Sequence, residues 1–115
     1  MADELQELVE EQAYSWLEVH KKSALSYLVL TALQKEHMWS KDLGDWISQK
    51  TDWTVTEKGL YRLLRRMQKQ GSIVFTSEPA ARTGAERKVF KITAEGEALL
   101  RAMQKELAYL SALPR

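Results

Sequence analysis

Residues 56–71, TEKGLYRLLRRMQKQG, divide their side chains between two faces in a way that only one conformation satisfies. At about 100° per residue, Leu60, Leu63, Leu64 and Met67 follow i, i+3, i+4, i+7 and form one narrow stripe. Lys58, Arg62, Arg65, Arg66 and Lys69 gather within an arc of about 100° on the opposite side. A strand, with its period of two, would scatter both sets. The segment reads as a helix with a core face and a cationic face, stopped by Gly71. Just upstream, TVTE has the form of a capping box, with Thr54 as N-cap and Glu57 as its reciprocal partner, which accounts for the one acid in the segment.

A solvated helix face normally mixes signs. Here Arg62 with Arg66 and Arg65 with Lys69 are like-charge i, i+4 pairs, which are mildly destabilising. An ordinary surface and an anionic partner are both open, and the tolerated repulsion favours the partner. The formal charge of +1 says little, but its distribution says more. Residues 1–20 carry Asp3, Glu4, Glu7, Glu10, Glu11 and Glu18 and no Lys or Arg, a formal −6. Residues 54–91 carry nine cations against Glu57, Glu78 and Glu86, a formal +6. Such polarisation attracts a phosphate backbone even in a nearly neutral chain.

The 115 residues suit a single domain, 1–115, with terminal helices added to a small core. The 44% apolar content argues against disorder, and no apolar run approaches the roughly 18 residues needed to cross a bilayer. The opening MADELQELVEEQ has no cationic start before an apolar core, so no secretory signal is expected. There is no cysteine, which excludes disulfides and thiol chemistry and fits a reducing, cytoplasmic setting.

Along the chain, residues 1–22 read as an amphipathic helix with Leu5, Leu8, Val9, Trp16 and Val19 on one stripe and the acids opposite. SALSYLVLTALQKE, 23–36, is apolar almost all round and reads as a separate central core helix. Ser40 is placed to cap a shorter helix, SKDLGDWISQK, with Leu43, Trp46 and Ile47 inward. That helix, about four residues around TDW, and the basic helix form a helix-turn-helix. IVFTSE and RKVFKI are β-branched and aromatic, and read as two antiparallel strands around an eight-residue loop bearing Arg82. Thr93 is placed to cap a last helix over 93–113, closed by Pro114. The expected fold is mainly α with a small β-hairpin: a winged helix-turn-helix core, 23–92, flanked by N- and C-terminal dimerisation helices.

LYRLLRRMQKQG followed by ERKVFKITAEGEALL resembles the PadR family of bacterial transcriptional regulators, over roughly residues 24–110. Leu60 and Tyr61 match that family's Leu-Tyr, Leu63 and Leu64 its core pair, and Gly71 its helix terminator. Arg87 and Lys88 match its basic strand, and Thr93 with Gly96 the start of its last helix. Arg62 stands where the family usually has Pro, and SKDL at 40–43 replaces its usual Gly-Tyr-Glu-Ile, which leaves the family's second-helix contacts without support here. The resemblance implies an operator-binding homodimer, usually a repressor, joined through its terminal helices.

The residues expected at double-stranded DNA are Thr56, Lys58, Gly59, Tyr61, Arg62, Arg65, Arg66, Lys69, Arg82, Arg87 and Lys88. Those nearest the N-terminus of the basic helix face base edges, and Gly59 allows close approach. Tyr61, at the edge of the apolar face, is divided between packing and phosphate contact, and Arg82 between wing contact and solvated turn. Leu5, Leu8, Val9 and Trp16 at one end, and Leu100, Met103, Leu107 and Leu110 at the other, are expected at the dimer interface. A winged-helix module that binds protein instead of DNA, by its acidic N-terminal face, is the rival. A further alternative is a ligand-gated regulator whose Trp16, Trp39, Trp46 and Trp53 line a pocket, although aromatics in a small chain are mostly core. No nucleophile elbow, phosphate loop or His-Glu-x-x-His occurs, and His20 and His37 are isolated, so no enzyme chemistry, metal or cofactor is expected.

Overall fold

The computed structural model describes residues 2–80 and 84–114. In chain order the elements are α1 (Ala2–Lys35), β1 (Met38–Trp39), α2 (Ser40–Thr51), α3 (Glu57–Lys69), β2 (Ile73–Pro79), β3 (Glu86–Ile92) and α4 (Ala94–Ser111). The three strands form one antiparallel sheet in the order β1-β3-β2. This is the winged helix-turn-helix that the periodicities imply, mainly helical, with the hairpin β2–β3 as the wing.

The apolar stripes meet where expected. Val29, Leu30, Ala32 and Leu33 of α1 pack with Leu43 and Ile47 of α2, with Leu60, Leu63, Leu64 and Met67 of α3, and with Ile73, Phe90 and Leu100. All are buried. Phe75 and Phe90 sit opposite each other in the hairpin, ring centroids 6.0 Å apart, and seal the sheet against this cluster.

The segment 1–36 departs from expectation: it is not two helices but one of 34 residues. His20-Lys21-Lys22-Ser23 contains neither Gly nor Pro, and the Ser23 hydroxyl bonds back to the His20 carbonyl at 3.0 Å instead of capping a new helix. Residues 2–16 of this helix are all exposed, and it enters the core only from about Leu25. β1 is the second departure. Met38 and Trp39 pair with Phe90 and Val89, which makes β3 the central strand of the sheet. This shifts the start of α2. Extended Trp39, with no side-chain cap bond, is the N-cap, and Ser40 is drawn into the first turn.

The junction of α3, the sheet and α4 is tied by short polar contacts. Gly71, at φ +87°, ends α3, with its N–H on Gln68 O and that of Ser72 on Met67 O, both 3.1 Å. The Thr93 hydroxyl accepts from Gly96 N at 3.0 Å, as expected of the N-cap, and also donates to Gly71 O at 2.6 Å. Thr93 N donates to Ser72 O at 3.1 Å. Helix α4 starts directly over this peptide, and Gly96 is the residue that allows it. A Cβ there would collide with the Ser72 carbonyl oxygen and lie 2.8 Å from Ile92 Cγ1.

Gly96→Ala is therefore expected to destabilise the protein by about 3 kcal/mol or more, because the colliding atom is backbone. Gly44→Ala, where the new methyl meets only Leu60 Cδ2 at 3.6 Å, is expected to be neutral or to stabilise by up to about 1 kcal/mol, as helix propensity dictates. Urea denaturation of the two variants checks the pair.

Candidate nucleic-acid interface

The basic helix α3 lies at the surface with its cations outward. Lys58, Arg62, Arg65, Arg66 and Lys69 are all exposed, and Arg62, Arg65, Arg66 and Lys69 line an open depression along the helix. Among the described residues the one ion pair joins Lys21 to Glu18, so no carboxylate neutralises this face. Leu60, Leu63, Leu64 and Met67 anchor the opposite side in the core, which fixes the direction in which the cationic face points.

The entry to α3 differs from the capping box expected. Thr56, not Thr54, is the N-cap, and its hydroxyl accepts from Gly59 N at 3.0 Å. Both ends of the connection lie later than expected: α2 runs to Thr51 and ends where Asp52 adopts the left-handed conformation at φ +61°. Thr51 supports that turn by donating to Ile47 O at 2.8 Å and accepting from Trp53 N at 3.1 Å. The connection then covers 52–56. Glu57 becomes the first helical residue, where its charge favours the positive end of the helix dipole. Gly59 has a local reason to lack a side chain, since a Cβ would sit 2.9 Å from the Thr56 hydroxyl.

Two further cations come from β3. Lys88 Nζ lies 4.5 Å from the Phe75 ring centroid and 5.6 Å from that of Tyr61, and donates to the Tyr61 hydroxyl at 3.5 Å. Tyr61 is exposed on α3, outside the core, and through Lys88 links that helix to the wing. Arg87 is half-buried, its guanidinium 4.8 Å from the Trp39 ring centroid, with Nε shielded and without a hydrogen-bond partner. It clamps β1 to β3 and offers less of itself to solvent than Lys88. Arg82 lies outside the described residues.

At the other end of the molecule, an apolar groove of about 710 Å³ runs between α1 and α4. Trp16, His20, Tyr27, Met103, Leu107 and Leu110 are among its walls. Leu5, Leu8, Val9 and Trp16 are exposed, as are Leu107 and Leu110, whereas Met103 is half-buried against the core. Leu100 is a correction. It is fully buried in the chain's own core and presents no surface to a second copy, because the first turns of α4 join that core while Leu107 and Leu110, further along, are exposed. The four tryptophans do not share a pocket either: Trp16 alone lines the groove, Trp39 lies under Arg87, Trp46 beside Lys50 and Trp53 against His20. Among the described residues no helix is long and apolar enough to cross a membrane.

The family model described as the transcriptional regulator PadR-like family matches residues 27–102. No curated protein matches the chain. Among solved structures, a PadR family transcriptional regulator from Eggerthella lenta is similar at a TM-score of 0.75 and 22% identity, covering 90% of this chain and 89% of that one. A PadR-like transcriptional regulator from Bacillus cereus matches at 0.71 and 26% identity, over 79% of this chain and 87% of its own. Bacillus subtilis PadR, solved in complex with operator DNA, matches at 0.63 and 22% identity, over 70% of this chain and 46% of its own. The family and these solved relatives are transcriptional regulators, not enzymes.

The two threonines before α3 separate the observed cap from the expected one. Thr56→Ala is expected to cost about 1 kcal/mol of stability, and Thr54→Ala less than about 0.5 kcal/mol. Thermal denaturation of both variants reads the difference.

Proposed function

Because this chain belongs to the transcriptional regulator PadR-like family, we propose that it binds double-stranded DNA through α3 and the wing, as a homodimer that represses transcription from an inverted-repeat operator. The observation that carries this reading is the exposed, unneutralised row of Arg62, Arg65, Arg66 and Lys69 on a helix whose other face is locked in the core. Like charges held together at i, i+4 cost stability in isolation, and a phosphate backbone reverses that cost. The operator complex of the Bacillus subtilis relative supports the same direction.

Within the row the roles differ by position. Thr56, Lys58, Gly59 and Arg62 occupy the N-terminal turns of the helix, the part that reaches base edges when a recognition helix enters the major groove. Arg62 there is suited to a guanine, which it can bind through two hydrogen bonds. Arg65, Arg66 and Lys69, with Tyr61, Lys88, Arg82 and Arg87 from the helix edge and wing, serve phosphates and fix register. The dimer is supported by the exposed Leu5, Leu8, Val9 and Trp16 of the free half of α1 and by Leu107 and Leu110 along α4, apolar surface that a second copy would cover. A regulator of this kind works where chromosomal DNA is. The apolar groove between α1 and α4 is assigned in this reading to the second copy and not to a small-molecule effector.

Duplexes selected by the protein from a random pool are expected to contain an inverted repeat, and sedimentation equilibrium is expected to show twice the chain mass. Arg62→Ala is expected to weaken the selected duplex by about 1–3 kcal/mol and scrambled DNA much less. Lys69→Ala is expected to weaken both alike and to lower the slope of log affinity against log salt by about 1 for each phosphate no longer neutralised. A salt titration of the two variants distinguishes them. Equal affinity of wild type and both variants for every duplex would leave the face a solvated surface and favour a protein-binding module.

A further inference from the structure

Three rings outside both the core and the cationic face join the long helix to the DNA-reading unit. Trp53 stands in the connection between α2 and α3, three residues before the Thr56 cap. Its ring meets that of His20 edge-on, with centroids 5.8 Å apart and planes at 83°. His20 in turn stacks flat on Trp16, one helical turn away, at 4.9 Å and 8°. Lys21 Nζ lies 5.8 Å from the Trp53 centroid and is held by Glu18 at 3.9 Å.

We propose that this Trp16–His20–Trp53 stack is a brace that sets the distance between the two recognition helices of the dimer, which makes His20 and Trp53 determinants of operator half-site spacing. The inference rests on the DNA-binding dimer proposed above. The core grips α1 only from about Leu25 onward, and residues 2–16 are all exposed. From Leu25 to Leu5 is about 30 Å of helix, so a tilt of about 6° displaces the apolar tip by about 3 Å. That displacement is close to the rise of one base pair, about 3.4 Å. Trp16 and His20 line the open groove between α1 and α4, which gives α1 no rigid stop at this level. Trp53, which meets the His20 ring from the α2–α3 connection, provides one. Because the same residue belongs to the turn that launches α3, the brace refers the dimer arm directly to the reading helix. Edge-to-face and stacked rings hold such an angle better than aliphatic contacts, since their quadrupoles favour particular orientations.

His20 and Trp53 are positioning residues, so the test reads geometry as well as affinity. An operator selected by the wild-type protein is rebuilt with its spacer one base pair shorter and one longer, and binding to all three and to random duplex is measured at one salt concentration. Wild type is expected to lose on the order of tenfold at either altered spacer, since sites one helical turn apart tolerate little phase error. Trp53→Ala, in the α2–α3 connection and outside the groove, is expected to keep the dimer and the random-duplex affinity while its discrimination falls to about threefold or less. His20→Phe, which retains a flat ring, is expected to behave as wild type, and His20→Ala to lose discrimination as Trp53→Ala does. Undiminished discrimination in Trp53→Ala, or a His20→Phe variant that fails as His20→Ala does, overturns the brace. A wild-type dimer that binds its operator with no spacing preference also overturns it and leaves the regulator intact. A wild type that binds no DNA removes the regulator reading, and the brace with it.

Discussion

The peptide of Ser72 holds four elements in place. Its N–H closes α3 on Met67 O, its carbonyl accepts from Thr93 N, and the Cα of Gly96 rests against the same oxygen. The buried Ser72 hydroxyl adds a bond to Met67 O at 3.1 Å. β2 leaves from this point and β3 returns to it, so Ile73 pairs with Ile92 and the register of the wing is set from its base. A shift of one residue would turn Phe75 and Phe90 away from the core, so the junction also decides which side of the wing faces solvent. The orientation of α3 relative to the wing, and hence of Arg62 relative to Lys88, follows from a few hydrogen bonds and one missing methyl group.

The helix that carries the cations is stabilised from behind. Its outward residues repel one another, and its stability comes from four buried apolar side chains and the Thr56 cap. Division of labour between faces lets charge accumulate without a compensating acid. At the wing, Lys88 and Arg87 use aromatic rings where other proteins use carboxylates: Phe75 and Tyr61 for one, Trp39 for the other. A ring face steadies a cation without cancelling its charge, so the field at the surface is kept.

Where a pattern repeats, the sequence was readable. The two faces of α3, the alternation of the hairpin, the Gly71 stop and the Thr93 cap each rest on several residues or on a side chain whose chemistry has one local use. The misreadings lie where a single residue decides. Thr54 and Thr56 offer the same hydroxyl, and the choice fell to the left-handed Asp52 upstream, which carries no periodic signal. β1 is two residues long, too short for any alternation to be seen. The polar HKKS passage resembles a boundary only because its neighbours change in hydrophobicity, although nothing in it breaks a helix. Leu100 shares a stripe with Leu107 and Leu110, yet α4 leaves the core partway along that stripe, which only the length of the body beneath it determines. The contact between His20 and Trp53 joins residues 33 positions apart and is beyond any local pattern.

The 34-residue α1 has one consequence for the kinetics of the backbone. A helical segment of about 15 residues with nothing packed on it is marginal in water, and its amides open by fraying, whereas those anchored in a core open only with the whole domain. Amide protons of this single helix should therefore exchange along a gradient, fast near Leu5 and slow near Leu30. Whatever covers the exposed half steepens the cost of opening there. The first turns of α1 thus record, proton by proton, how much of the time the arm is occupied.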